Sequence, residues 1–298
     1  MHTPDTFQTH RPRLFALAYR LLGSRSDAED VVQDAWLRWQ GADTTAIRDP
    51  EAWLVTATTR LGLDRLRAAR NARIDYVGPW LPEPLEIALD PDPMHDPAQR
   101  HAHADDVSVA FLALLEQLRP DERAAFLLKD VFDYDYPEIA PLLDHTPANC
   151  RQLVHRARQR LQTGRPRFAV SAAQHRTLLE RFMQATEQGD QAAILSLLHA
   201  NAEMVSDGGG RVTAAIRPLL GAERIAQLFW AIARRNGSHP GRIGWVNGEP
   251  AILRFDDGHL HSVTTVTVDD GRIVRVLSVL NPDKLGAVVT ARHAAASS

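Results

Sequence analysis

Cysteine is almost missing from this chain of 298 residues: Cys150 stands alone. One thiol excludes an internal disulfide and any metal site built from a cysteine cluster, and the simplest compartment for such a chain is the cytoplasm. Lysine is nearly as scarce, occurring at Lys129 and Lys284, so arginine carries almost all of the positive charge. That usage, beside abundant alanine, points to a GC-rich genome and to nothing narrower. No apolar run is long enough for a membrane span, and the opening MHTPDTFQTHRPR is too polar for a signal peptide, so no membrane partner is expected. A formal net charge of −3 does not announce a nucleic-acid binder either.

The local distribution of charge does. From His145 to Leu179 there is no acid, while Arg151, Arg156, Arg158, Arg160, Arg165, Arg167 and Arg176 all occur. A second basic run holds Arg60, Arg65, Arg67, Arg70 and Arg73 against Asp64. Between the two lies an acidic, proline-rich segment with Glu83, Glu86, Asp90, Asp92, Asp96, Asp105 and Asp106. Two cationic patches separated by an anionic spacer fit a protein that meets nucleic acid twice. The length sets a prior of about two domains, and a 44% hydrophobic content is enough to bury real cores.

The stretch from Asp135 to Leu161 predicts two helices joined by a tight turn. Asp135 and Glu138 have capping-box spacing, and Ile139, Ala140 and Leu143 give the first helix an apolar face. Thr146 caps the second helix, with Pro147 at its first position. Cys150, Val154, Ala157 and Leu161 then recur on one side, opposite Asn149, Arg151, Gln152, His155, Arg156 and Arg158. An apolar stripe holds such a helix to its domain while Arg, Asn and Gln read base edges in a major groove, although an ordinary surface helix of an arginine-rich protein has the same look. Asp144 at the turn, where glycine is common, and Pro141 inside the first helix are irregular features.

Upstream, residues 13–22 read as an amphipathic helix with Leu14, Leu17, Ala18 and Leu21 inward, ended by Gly23. Ser26 and Glu29 suggest a capping box for a second helix, DAEDVVQDAWLRW, with Val31 or Val32, Ala35 and Trp39 inward. Its outer side shows Asp30, Gln33 and Asp34. A third helix, about Glu51 to Ala69, completes a compact domain, with Trp53, Ala57, Leu61 and Leu66 inward. Residues 76–100 carry Pro79, Pro82, Pro84, Pro91, Pro93 and Pro97 and predict an extended linker, anchored by Tyr76, Trp80, Leu81, Leu85 and Ile87. Helices resume at Ala104–Leu118 and Pro120–Phe132, and again at Gln174–Gln188 and Gln191–His199, after a boundary at Gly164 and Pro166. Beyond Asn201 the period changes. A strand-like AEMVS, a helix over Ala222–Arg234 and four β-branched segments follow, with Asp257-Gly258 and Asp270-Gly271 as hairpin joins. Helices followed by an antiparallel meander predict an α+β domain, ending in a small polar tail from Thr290.

In this order the pieces resemble a bacterial extracytoplasmic-function sigma factor of the subgroup with a fused SnoaL-like C-terminal domain. DAEDVVQDAWLRW resembles the region 2 helix that grips the clamp helices of the RNA polymerase β′ subunit, and WLVTATTRLGLDRLR the part that opens and reads the −10 element. ANCRQL…RAR is similar to the region 4 reader of the −35 element. YVGPWLPEPL, DGGG and NPDKL resemble motifs of the subgroup itself. The Asn-containing stretch that many such factors carry near Thr59-Arg60 is absent here.

The resemblance implies two all-α domains followed by an α+β SnoaL-like cone domain. Its boundaries are 1–73 (sigma region 2), 74–102 (linker), 103–165 (sigma region 4 helix-turn-helix), 170–289 (SnoaL-like regulatory domain) and 290–298 (disordered tail). It implies polymerase-core contacts at Asp30, Gln33 and Asp34; −10 contacts at Arg60, Arg65 and Arg67, with Asp64 orienting them; and −35 contacts at Asn149, Arg151, Gln152, His155, Arg156 and Arg158. An interdomain regulatory contact would draw on Tyr76, Pro79, Trp80, Leu81, Pro82, Asp207, Gly208, Gly209, Gly210, Asn281, Pro282, Asp283, Lys284 and Leu285. RNA polymerase core and promoter DNA are the implied partners, with no separate anti-sigma factor required. A small-molecule ligand of the third domain stays open.

The competing expectations are a ligand-sensing DNA-binding regulator with a SnoaL-like sensor, which leaves the acidic helix unexplained, and a SnoaL-type cyclase or isomerase. His259 and His261 share one side of a strand and Asp207 is the obvious acid, but no pair has catalytic spacing. The expectation is therefore no catalytic residue, no metal and no cofactor.

Overall fold

The computed structural model describes residues 4–43, 46–85, 87–88, 108–162, 171–236 and 239–286. The acidic proline stretch over 89–107, the boundary at Gly164 and Pro166, and the tail 290–298 lie outside them. The chain divides into two compact units, one of Met1–Ile74 with Leu114–Arg165 and one of Asp75–Ala113 with Pro166–Ser298.

In the first unit α1 (Pro4–Leu22), α2 (Arg25–Gln40) and α3 (Pro50–Ala72) pack around the apolar stripes that their periodicity predicts. Leu14, Leu17, Ala18 and Leu21 are buried, as are both Val31 and Val32, Ala35 and Trp39. Trp53 is half-buried with its ring 5.4 Å from that of Trp39, which makes it part of the packing. One cap differs from expectation: α2 begins two residues earlier, with Ser24 accepting from the Asp27 N–H, while Glu29 turns to Arg25 at 3.2 Å. Gly23, at φ 69°, reverses the chain just before that cap, so Ser24 and not Ser26 meets the free amides.

The same unit contains α5 (Pro120–Phe126), α6 (Tyr136–Leu143) and α7 (Pro147–Gln162). The helix expected to run from Pro120 to Phe132 instead passes into a π-turn over Leu127–Val131, closed by the Phe132 N–H on the Leu127 carbonyl. Glu138 accepts from the Asp135 N–H at 2.6 Å, and Thr146 accepts from the Asn149 N–H at 3.2 Å, so both predicted caps form. Asp144 closes α6 in the left-handed region at φ 57°, one of the few side chains that tolerates it in place of glycine. Pro141 lies in a helix of eight residues, where only one backbone bond is forfeited. Cys150, Val154, Ala157 and Leu161 are buried, each burial contributing roughly 1.5–3 kcal/mol for the larger aliphatics.

The second unit is a sheet of order β1-β4-β5-β6-β7-β2-β3. Its strands are β1 (Ile87–Ala88), β2 (Leu198–Asp207), β3 (Leu219–Leu220), β4 (Gly241–Val246), β5 (Glu249–Asp256), β6 (His259–Asp269) and β7 (Arg272–Val279). β4 to β7 form the expected meander, with Asp257-Gly258 and Asp270-Gly271 at positive φ in its turns. β2, however, returns to pair parallel with β7, so the sheet is mixed. One face, through Met204, Ile252, Val266 and Val276, packs on α8 (Ala172–Gln188), α9 (Gln191–Leu197) and α10 (Ala222–Asn236). The other, through Val205, Leu253, Val263, Leu277 and Val279, packs on Leu81, on Val109 of α4 (Val109–Leu115), and on Leu285 of α11 (Pro282–Leu285). Alternation along each strand therefore supplies two cores, and the second is closed by the linker.

Candidate functional site

Within the first unit the expected polymerase-contact residues Asp30, Gln33 and Asp34 are all exposed on α2. Asp30 is also an intramolecular partner: Arg65 donates to it at 2.6 Å and to Asp27 at 3.0 Å. Of the expected −10 residues, Arg67 lies near Asp64 at 3.4 Å and pairs with Asp121 at 2.7 Å. Arg60 reaches the end of α6, donating to the Pro141 carbonyl at 2.8 Å and the Leu142 carbonyl at 3.5 Å. Those carbonyls are the unsatisfied end of a helix dipole, to which a guanidinium is attracted. Asp64 thus orients Arg67, while Arg60 and Arg65 take their positions from α6 and α2.

Further links tie the two halves of this unit. Arg73 pairs with Glu116, which also holds the buried Arg123 at 2.6 Å, and Arg73 donates to the Leu22 carbonyl at 3.2 Å. Burial lowers the Arg73 pKa. Arg13 and Arg20 of α1 stand over the Phe132 ring at 5.9 and 5.6 Å. Apart from Glu116 and Arg123, which are close in sequence, the partners lie tens of residues apart, so local pattern carries no signal for them.

On α7 the expected −35 residues Asn149, Arg151, Gln152, His155, Arg156 and Arg158 are all exposed. They separate by neighbour. Arg158 makes two bonds to Asp130, at 2.9 and 2.6 Å, and Arg156 and Arg160 both face the buried carboxylate of Glu122. Arg151 lies 5.1 Å from the Tyr136 ring. The N-terminal half of the helix therefore presents Asn149, Arg151, Gln152 and His155, and its C-terminal half is held by carboxylates.

In the second unit, the three motifs meet at one carboxylate. Asp207 ends β2, is 0% exposed, and receives the Tyr76 hydroxyl at 2.6 Å, the Leu81 N–H at 2.8 Å and the Lys284 ammonium at 2.6 Å. Its own Gly209 N–H donates at 3.1 Å. Lys284 also donates to the Leu81 carbonyl at 2.5 Å, with its Nζ 4.0 Å from the Trp80 ring centre. Asn281 donates to the Tyr76 oxygen at 3.0 Å and accepts from the Asp283 N–H at 3.0 Å, which starts the turn of Pro282 and Leu285. Leu285 and Pro82 are buried and Pro79 is half-buried.

The glycines allow this. Gly209 has φ 57°, and a Cβ there would fall 2.2 Å from the Asn281 amide; one on Gly210 would meet Val77 at 3.1 Å. Gly208 lies against Val212 and Ala214. Burial, reinforced by the hydrogen bond to Asp207, raises the Tyr76 pKa far above its ordinary value, so the phenol stays a donor. With both oxygens committed, Asp207 has no lone pair to spare for proton transfer.

The linker goes further than the motif indicated. Leu85 donates to the Asn247 side chain at 2.8 Å, and Ile87 and Ala88 pair with Val246 and Trp245 as an edge strand. Asn247-Gly248, at positive φ, is the turn that offers this acceptor, and is a hairpin signal in the sequence beside the two already used. Among the described residues no helix is long and apolar enough to cross a membrane.

Comparison with known proteins follows the same division. The Sigma-70 region 2 family matches residues 6–72, and Sigma-70, region 4 matches residues 108–161. Over 292 residues, 93% of this chain and 91% of the relative, the sequence is 38% identical to the ECF RNA polymerase sigma factor SigJ of Mycobacterium tuberculosis (strain ATCC 25618 / H37Rv). Over 284 residues it is 31% identical to the probable ECF RNA polymerase sigma factor SigI of the same strain, covering 94% of this chain and 93% of that one. The crystal structure of Mycobacterium tuberculosis extracytoplasmic function sigma factor SigJ matches with a TM-score of 0.76 at 34% identity, over 96% of this chain and 99% of that chain.

Proposed function

Because the chain belongs to the ECF RNA polymerase sigma factor family, and is thus a transcription initiation factor and not an enzyme, we propose how its residues divide the work. Sigma factors bind RNA polymerase core and promoter DNA. Here Asp30, Gln33 and Asp34 on α2 meet basic residues of the polymerase, at the β′ clamp helices that the resemblance names. Arg60, Arg65 and Arg67 follow the strand opened at the −10 element, and Asn149, Arg151, Gln152 and His155 read the −35 element from the major groove. Arg156 and Arg158 contact phosphate, which requires exchanging Glu122 and Asp130 for DNA. This work is done in the cytoplasm.

The C-terminal unit regulates that work through the linker. The observation that carries this reading is the buried Asp207 carboxylate, which takes one bond from the side chain of Tyr76 and one from the backbone of Leu81. Both donors belong to the segment that joins the two DNA-reading regions, so their spacing is restrained while the clasp is closed. Region 2 and region 4 also hold each other through Arg60 and Arg67. An opening step must then precede promoter recognition, biased by whatever partner favours the open form. No separate anti-sigma factor is needed for this restraint of the linker.

Run-off transcription with purified core polymerase tests the reading. The full chain is expected to direct initiation from a specific promoter, and reversal of Asp30 and Asp34 to Arg to abolish polymerase capture with the fold intact. Undiminished capture by that variant would remove α2 from the interface.

A further inference from the structure

Three polar side chains converge on the sheet of the second unit, away from the clasp. His239 precedes β4, Asp256 ends β5 and His261 lies near the start of β6. Their ligand atoms all lie within 4.8 Å of one another, the His239 Nδ1 is 3.7 Å from an Asp256 oxygen, and the two imidazole centres are 4.5 Å apart. We propose that His239, Asp256 and His261 form a site for a divalent borderline cation of the zinc class.

The backbone is arranged to make this meeting. β5 and β6 pair Arg254 with Ser262 but Phe255 with Leu260, so His261 is the residue without a register partner, in a bulge. A bulge re-aims a side chain that regular alternation would place elsewhere. His239 is held from behind: its carbonyl accepts from Arg254 at 2.9 Å, and the next described amide along, Gly241 N–H, donates to Glu187 at 2.8 Å. The Arg254 guanidinium also bonds Thr186 at 2.9 Å and faces Glu187 at 3.5 Å, so a carboxylate offsets its charge. Supporting bonds of this kind orient a ligand set before the metal arrives.

The donor chemistry selects the ion. Two imidazoles and one carboxylate suit Zn2+, Ni2+, Co2+ or Cu2+, whereas Mg2+ and Ca2+ want oxygen on nearly every side. Ligands about 2.1 Å from a tetrahedral zinc lie roughly 3.4 Å apart, so the exposed Asp256 carboxylate and the two half-buried imidazoles need only small shifts to close the set. Three protein ligands leave at least one coordination position to water. Neither the clasp nor the DNA-reading surfaces use any of these residues.

The test is calorimetric titration of untagged full-length protein with Zn2+ at pH 7.5. One ion is expected per chain, with at least a tenfold loss of affinity in His239→Ala and again in His261→Ala, and a smaller loss in Asp256→Asn. His259→Ala, on the same hairpin but bonded to the Asp257 carbonyl, should bind as wild type. His239 lies outside regular structure, so its removal leaves the fold to report on the metal alone, checked by an unchanged melting temperature without zinc. Wild-type affinity in His239→Ala, or no uptake by the wild-type chain, would overturn the site.

Discussion

The ammonium of Lys284 sits 2.6 Å from a carboxylate oxygen of Asp207, with no part of Asp207 exposed to solvent. The pair lies 77 residues apart in sequence, and joins the end of one strand to the short helix that follows the last. Two further donors from the linker and the Gly209 N–H complete the shell. A buried charge held this way is stable only while its partners remain.

Removing one partner should therefore be severe. Lys284→Met leaves an uncompensated buried carboxylate and should destabilise the second unit by about 3–5 kcal/mol, as should Asp207→Asn through the stranded ammonium. The double variant Asp207→Asn with Lys284→Met should recover part of that loss. Urea unfolding followed by tryptophan fluorescence gives the comparison; additive losses in the double variant would mean the two groups do not interact.

At Gly209 both backbone and space are constrained. Alanine there incurs about 1–2 kcal/mol for the left-handed conformation, and its Cβ must displace the Asn281 amide that bonds Tyr76. Gly258 has a similar positive φ with open space around it, so Gly258→Ala should show the conformational part alone. The difference between their melting temperatures isolates the clasp, and limited proteolysis should cut Gly209→Ala faster between Tyr76 and Leu85.

Alkaline pH should loosen the clasp. The Tyr76 pKa is raised on folding, first by burial and then by Asp207. The folded form thus holds its proton where the unfolded chain has lost it, so this contribution is complete below about pH 10 and falls as the pH rises beyond it. Unfolding midpoints at pH 9 and 11 should differ more for wild type than for Tyr76→Phe. Equal differences would assign the alkaline loss to other groups.

On α7, Arg151→Ala should relax preference at one promoter position by about 1–3 kcal/mol, whereas Arg156→Ala should weaken all sequences alike and lower the salt slope by roughly one. A matrix of −35 variants measured at several salt concentrations separates the two. The Arg67–Asp121 pair is exposed, so Arg67→Ala should change stability by only about 0–1 kcal/mol.

Periodicity made the helical half legible. The inward faces of α1, α2 and α7 follow directly from apolar residues three and four apart, because local geometry alone decides them. The Asp-Gly turns of the meander were equally plain. What local pattern could not carry was long-range pairing: the parallel return of β2 to β7, Arg65 turned onto Asp27 and Asp30, and Arg60 on the end of α6. The clasp was half legible. DGGG, NPDKL and the linker motif stand out as motifs, but the sequence offers Asp207 only as the obvious acid and does not tell what surrounds it. Only burial and four donors distinguish it as a structural acceptor.

The central claim is that the clasp restrains the linker between region 2 and region 4. If binding-competent chains are a minority, loosening the clasp raises their fraction and lowers the apparent dissociation constant in proportion. The direct measurement is run-off transcription at limiting sigma factor, comparing wild type with Tyr76→Phe and Gly209→Ala at equal folded concentration. More transcript is expected from both variants on the same promoter. Transcript yields equal to wild type, or reduced, would contradict the claim.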